Sequence, residues 1–319
     1  MRQSVRHSDL VYATASRPSA AISSPIAASW IRCLDVHRLM PDVPRDPVQV
    51  DADAYTSSRE SMEPLIHACA DEFDRLYQTV GRSGCCIVLS DRHGVIVDRR
   101  GAASNDVEFK KLGLWQRNLW SEASVGTNGI GTALADERSV MIHRDQHFLS
   151  SNISLSCVTA PIRDHLGQVA GAIDISTCRD DVTDMTLAML SHAVRDVAGK
   201  LETTLFRSAF PGARIVMVPS APISSVALLA VDQHDMILGA TKAARLALRL
   251  DDAQIRSGMP AADALNEDRR EVSADLEEAE RAALRRALSR SNGNVSLAAQ
   301  TLGISRATMH RKLKRLSLQ

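Results

Sequence analysis

Apolar side chains recur at three- and four-residue intervals between residues 61 and 80. Leu65, Cys69, Phe73, Leu76 and Val80 share one face, and the spacing predicts a long amphipathic helix. CCIVLS (85–90), the turn residues Asp-Arg-His-Gly and VIVD (95–98) together predict a strand, a turn and a strand. Further strands are expected at 139–143, 156–162 and 169–176, with a turn at 164–167. A second helix, 182–206, closes this block, with Met185, Met189, Val197, Leu201 and Leu205 assigned to its apolar face. Helix, antiparallel strands and helix in that order predict an α+β fold with segregated helices. Upstream, residues 1–28 show no period and are expected to form a flexible tail. A helix carrying Trp30, Ile31, Leu34 and Leu39 follows and stops near Pro41, before the proline-rich loop 40–47.

A smaller version of the pattern begins at Val226: ALLAVD, a Gln-His-Asp turn, MILGA and a helix over 241–250. The stretch 213–265 is only about 50 residues long, short for an independent domain. Gly258, Pro260 and the acidic run 266–275 read as a linker, and the remainder is helical.

The length of 319 residues supports two or three domains, and 45% hydrophobic with 24% charged residues is ordinary for a globular chain with ample core. A formal net charge of zero gives no overall hint of nucleic acid. The six cysteines, Cys33, Cys69, Cys85, Cys86, Cys157 and Cys178, form no C-x-x-C pair, which suits a reduced compartment. Cys85 and Cys86 on one strand point to opposite faces, so one of the two is expected in the core. No apolar run approaches the ~18 residues of a membrane span, and the N-terminus lacks a secretory pattern, so no membrane contact and a cytoplasmic location are expected.

Charge is distributed unevenly near the C-terminus. Residues 267–280 hold seven acids, whereas from Asn292 onward there is none and Arg306, Arg311, Lys312, Lys314 and Arg315 are positive. In NGNVSLAAQTLGISRATMHRKLKRL, Ala298 and Ala299 are small enough for a second helix to cross closely. Gly303 sits at a sharp turn, and Ser305 is a good N-cap. Met309, Leu313 and Leu316 form the inward stripe of the last helix, leaving a basic outer face suited to the major groove of double-stranded DNA. These residues resemble the Fis-type helix-turn-helix shared by the Fis nucleoid protein and sigma-54 activators. The resemblance implies base contacts from Ser305, Arg306, Thr308, His310 and Arg311, and backbone contacts from Asn294, Ser296, Lys312 and Lys314. His310 replaces the arginine or lysine common in that family. The preceding helix, 276–290, carries Leu276, Ala279, Ala283, Leu284, Ala287 and Leu288; it dimerises in the family, and packing on its own domain is equally compatible.

GTNGIGTAL (126–134) lacks the G-x-G-x-x-G spacing and follows no clear strand, so it is a weak match to a phosphate loop. With Trp120 and Glu122 upstream, it resembles the GAF sensor of the acetoin-catabolism regulator family. The same family is marked by SWIRC (29–33), LSDRHGVIV (89–97), QHF (146–148), C-x-x-API (157–162) and GAIDIS (171–176). Gln146 replaces the family's usual Glu. The resemblance implies a GAF sensor over 29–210, a truncated PAS-like unit and linker over 213–265, and the helix-turn-helix over 272–319. It also implies a small-molecule effector held near Trp120, Asn128, His147, Phe148 and Cys157. Trp120 and Phe148 are also compatible with plain core, Asn128 with satisfying loop backbone, and His143, His147 and Cys157 with a metal site. Family members carry an ATPase domain between sensor and DNA reader. This sequence has no G-x-x-x-x-G-K-[ST] and no G-A-F-T-G-A loop, so no cofactor and no ATP-driven step are expected. The expected function is a dimeric, ligand-responsive one-component regulator that contacts DNA, and RNA polymerase or another regulator. The alternatives are a Fis-like architectural protein and a GAF-fold thiol reductase.

Overall fold

The computed structural model describes residues 6–17, 19–81, 84–219, 226–265 and 276–316. The chain divides into two compact units, Met1–Leu265 and Asn266–Gln319.

The first unit opens with helices α1 (His7–Ala15), α2 (Ala20–Ser23) and α3 (Pro25–Ile31), the last running into a π-helical turn at Arg32–Val36. Helices α4 (Ala52–Ser61) and α5 (Glu63–Val80) follow. Next come β1 (Cys85–Asp91), β2 (Ile96–Arg100), α6 (Asp106–Leu112), α7 (Glu122–Val125) and α8 (Gly129–Asp136). Strands β3 (Val140–His143), β4 (Ser156–Arg163) and β5 (Val169–Thr177) complete an antiparallel sheet of order β2-β1-β5-β4-β3, and α9 (Asp184–Ala209) returns across it.

Period-two alternation divides the sheet's side chains. Cys85, Ile87, Leu89, Val158, Ala160, Ile162, Ile173 and Ile175 face α5 and α9. Cys86, Val88 and Cys157 face the opposite layer with Phe109, Trp120 and Ile130. Both Cys85 and Cys86 are therefore buried, where one core position was expected, because helices cover both faces of the sheet. All five stripe residues predicted for α5 are buried. The predicted face of α9 is corrected: Met185 and Met189 are exposed, while Leu187, Leu190, Val194, Val197, Ala198 and Leu201 form the inward row. Leu187 and Leu190 continue the three- and four-residue spacing set by Val194, Val197 and Leu201, and the two methionines lie out of phase with it.

The expected flexible tail is also corrected. Val11 of α1 is fully buried against Trp30, Cys33 and Phe148, and His7 Nδ1 and Nε2 lie 3.0 Å from Ser150 Oγ and the Asp145 carbonyl. A single buried apolar residue in nine was too sparse a pattern to register as a helix.

Beyond α9, strands β6 (Arg214–Met217), β7 (Leu228–Val231) and β8 (Ile237–Ala240) form an antiparallel sheet of order β6-β7-β8, followed by α10 (Lys242–Leu248), α11 (Asp252–Arg256) and α12 (Ala261–Ala264). This segment belongs to the first unit. Phe206 at the end of α9 shares a core with Leu228 and Ala230, and Phe210 packs against Gly239. Gly258 and Pro260 lie in this packed segment, and the predicted linker 266–275 falls outside the described residues.

The second unit contains α13 (Leu276–Arg290), α14 (Val295–Thr301) and α15 (Arg306–Arg315) around Leu284, Ala287, Ala298, Ala299, Met309, Leu313 and Leu316. Among the described residues no helix is long and apolar enough to cross a membrane.

Candidate sensor interior and nucleic-acid interface

Helix α3 starts where Ser24 Oγ accepts from Ala27 N and Pro25 fits the first turn. Helix α3 and the turn it runs into place Ser29 and Arg32, three residues apart, toward α7. Arg32 grips Glu122 at 2.8 and 2.9 Å and also donates to Asp136 at 2.8 Å. Ser29 donates to Glu122 Oε1 at 2.5 Å, so the 2.6 Å contact between Ser29 and Thr127 has Thr127 as donor. Glu122 is 4% exposed. Such a carboxylate is tolerable only when paired and hydrogen-bonded, and Arg32 and Ser29 supply both. Sequence reasoning marked SWIRC and Glu122 separately but did not join them.

The glycines of GTNGIGTAL serve close packing. A Cβ at Gly126, whose φ is +72°, would lie 2.6 Å from Phe148, and one at Gly131 would lie 2.5 Å from the Glu122 backbone nitrogen. Asn128 caps α8: its Oδ1 accepts from Gly131 N and its Nδ2 donates to the Gly126 carbonyl, both at 2.8 Å. Trp120 Nε1 donates to the Gly113 carbonyl at 2.6 Å, and Phe148 is fully buried with Trp30 and Val11. Three of the five residues expected to line a ligand therefore have structural partners of their own.

His147 and Cys157 are brought together, with Nε2 and Sγ 3.5 Å apart. His147 Nδ1 lies 3.0 Å from the Arg144 carbonyl and must donate there, which leaves Nε2 as an acceptor for the thiol. From Cys157 a polar row continues across the sheet. Ser176 Oγ is 3.1 Å from the sulfur, and Ser176 and Thr159 each donate to Asp174 at 2.5 Å. The first turn of α8 lies over this row, since a Cβ at Gly129 would touch Thr159, Asp174 and Cys157. The positive end of α8 thus sits beside an acid with no salt-bridge partner among the described residues. Burial raises the Asp174 carboxyl to about 6 and lowers His147 to about 4. Burial also pushes the Cys86 and Cys157 thiols well up, the opposite of an activated nucleophile. His143 is engaged by Ser156, and among the described residues no group of three His, Cys, Asp or Glu could hold a metal ion. Asp174, Ser176 and Thr159 were missed from sequence. Their signal was a Ser and an Asp alternating with Ile173 and Ile175 inside a strand otherwise buried on both faces.

In the second unit Asn294 caps α14, accepting from Ser296 N and Leu297 N, and Ser305 caps α15, accepting from Thr308 N at 3.1 Å. Gly303 between them has φ +64°, the left-handed turn expected from sequence. Ala298 and Ala299 are buried where α15 crosses α14, and Met309, Leu313 and Leu316 form the inward stripe. Ser296, Arg306, His310, Arg311 and Lys314 are exposed and Thr308 is half-buried. Lys312, expected on the DNA backbone, is half-buried and paired with Glu280 of α13, which also pairs with Arg315. On α13, Leu284 and Ala287 enter the unit's own core, while Ala279 is exposed and Ala283 and Leu288 are half-buried.

Residues 2–199 match the family model described as MimR, N-terminal domain, and residues 275–316 match that of the Fis family of bacterial regulatory proteins. The acetoin catabolism regulatory protein of Cupriavidus necator is 29% identical over 227 residues, which is 70% of this chain and 34% of that protein. The propane 2-monooxygenase operon transcriptional activator MimR of Mycolicibacterium smegmatis is 31% identical over 54% of this chain and 28% of its own length. The chain therefore spans about a third of the length of these relatives. Among solved structures, the complex of the E. coli DhaR N-terminal region with DhaL matches with a TM-score of 0.51 and 18% identity. That match covers 71% of this chain and 77% of that one, a likeness of fold.

Proposed function

The chain belongs to the MimR N-terminal-domain family and carries a Fis-family segment, and from that premise we propose that it is a ligand-responsive one-component transcription regulator that binds specific DNA. The observation that carries this reading is the outer face of α15. Arg306, His310, Arg311 and Lys314 are exposed on a capped helix behind a sharp turn, with no intramolecular partner among the described residues. A cationic second helix of this kind fits the major groove, and an arginine in its first turn can reach guanine O6 and N7 together. Ser305, Thr308 and Arg311 complete the base-facing set, and Asn294, Ser296 and Lys314 the phosphate-facing one. Two copies reading a two-fold site is the arrangement such a module suits, with Ala279 and Ala283 of α13 available to a partner copy.

The small-molecule response is assigned to the α8 side of the large sheet. There His147, Cys157, Ser176 and Asp174 form a polar row in an otherwise apolar layer. Trp120 lies in that layer, Asn128 caps the helix over it, and Phe148, next to His147 in the chain, packs against Trp30 and Val11. No phosphate loop occurs between the two matched segments, so the response reaches DNA without ATP hydrolysis. Selection of bound duplexes from a random pool by the full chain tests the central claim. A single enriched two-fold motif is expected. Binding without enrichment would favour an architectural role, and absence of binding would remove the reading.

A further inference from the structure

Five basic residues follow Ser305, and they occupy two faces of α15. Arg306, Arg311 and Lys314 are exposed, and none has an intramolecular partner among the described residues. Lys312 and Arg315, three residues apart and therefore neighbours on the helix, both turn to one carboxylate. Glu280 presents Oε1 to Lys312 and Oε2 to Arg315. Those hydrogen bonds and charges, that of Lys312 first, hold the Glu280 carboxyl below its ordinary range. Pairs this open to water add little to stability, so the triad is a minor element of it. Its larger effect is on the field outside the helix: a cation closed onto a carboxylate gives up less on approaching phosphate than a free one, because the pair must first be broken.

We propose that Glu280 sets the sequence-independent strength of the DNA interface, withholding Lys312 and Arg315 from phosphate so that this binding rests on fewer cations than the sequence contains. This inference rests on the helix-turn-helix reading above. Glu280 acts through the two cations and is a positioning residue, touching no DNA itself. Sequence-independent affinity follows the number of phosphates neutralised, and specific contacts add to it. Freeing two cations therefore strengthens binding to selected and random duplex alike, as the loss of Lys314 would weaken both.

The test is the dependence of affinity on salt, measured with the full-length protein and a fluorescent random-sequence duplex. Each phosphate contact contributes about 0.9 to the slope of log K against log salt. E280Q is expected to steepen the slope by up to about two contacts and to tighten binding to selected and random duplex alike. The K312Q/R315Q double variant is expected to keep the wild-type slope. A merely structural role for Glu280 would change the melting temperature and leave the slope alone. The proposal is overturned if E280Q leaves the slope unchanged, or if the double variant flattens it by about two contacts. K314Q separates the two levels of the argument. If it flattens the slope by about one contact while E280Q does nothing, the DNA-facing reading of α15 stands and only the role of Glu280 falls. A wild-type chain that binds no duplex ends both.

Discussion

Glu122 and Asp174 lie inside the first unit, 4% and 1% exposed, and each is surrounded by donors: Arg32 and Ser29 for one, Thr159 and Ser176 for the other. Arg306, Arg311 and Lys314 lie on the surface of the second unit and meet no acceptor among the described residues. Both sets are polar, yet they answer to different constraints. A buried carboxylate must be satisfied within the fold, so its neighbours are specified and losing one is costly. An exposed cation is satisfied by water, and its position on the helix is free to be chosen for a partner. Replacing the first kind should therefore register in stability, and replacing the second in DNA affinity.

The largest expected effect is that of Arg32→Met, which leaves Glu122 buried without its cation. A loss of ~3–5 kcal/mol is expected in urea unfolding of the first unit. A loss under ~1 kcal/mol would mean that the pair behaves as a surface bridge, and the contrast between the units would weaken.

Next are the two titrating groups of the polar row. Asp174 is raised in the folded protein, so its contribution to stability is full below its unfolded value and is lost as pH rises through about 6. His147 is lowered, so its contribution is full above its unfolded value of 6.5 and is lost as pH falls through about 4. Asp174→Asn should gain stability relative to wild type as pH rises from 4 to 6, and His147→Gln should gain as pH falls from 6.5 to 4. Each gain amounts to ~2–3 kcal/mol across its window. Melting curves across pH check both, and parallel pH profiles for variant and wild type would show that these groups are hydrated in the folded state.

The smallest effects in stability belong to the second unit, where the readout is binding. Arg306→Ala should cost ~1–3 kcal/mol at a selected site and relax preference at one base position per half-site, with no change in melting temperature. Lys314→Ala should weaken all sequences alike. Equal loss for Arg306→Ala on selected and random duplex would move that side chain from base to backbone and blur the distinction between the two sets of contacts.

Legibility followed the range of the interactions. The helix-turn-helix was readable because its determinants are local. The Ser305 cap, the Gly303 turn, the small Ala298 and Ala299 and the stripe Met309, Leu313, Leu316 all lie within about 20 residues of one another, and the structure places each as expected. Helix α5 and strands β1 to β5 were equally readable, because periods of 3.6 and 2 are properties of the chain itself.

What escaped was decided between distant segments. Arg32 meets Glu122 and Asp136 across about a hundred residues, and Cys157 meets Ser176 only because β4 pairs with β5. The same holds for α1, whose single buried Val11 acquires a function only beside Trp30 and Phe148. It holds again for Lys312, which looks free in the sequence until Glu280 is brought over from α13. Sequence alone determined helix α5, strands β1 to β5 and which face of α15 is basic, since local periodicity and capping are written in neighbouring residues. Which charges remain free for a partner was decided by tertiary structure alone, because pairing depends on distances that only the folded chain sets.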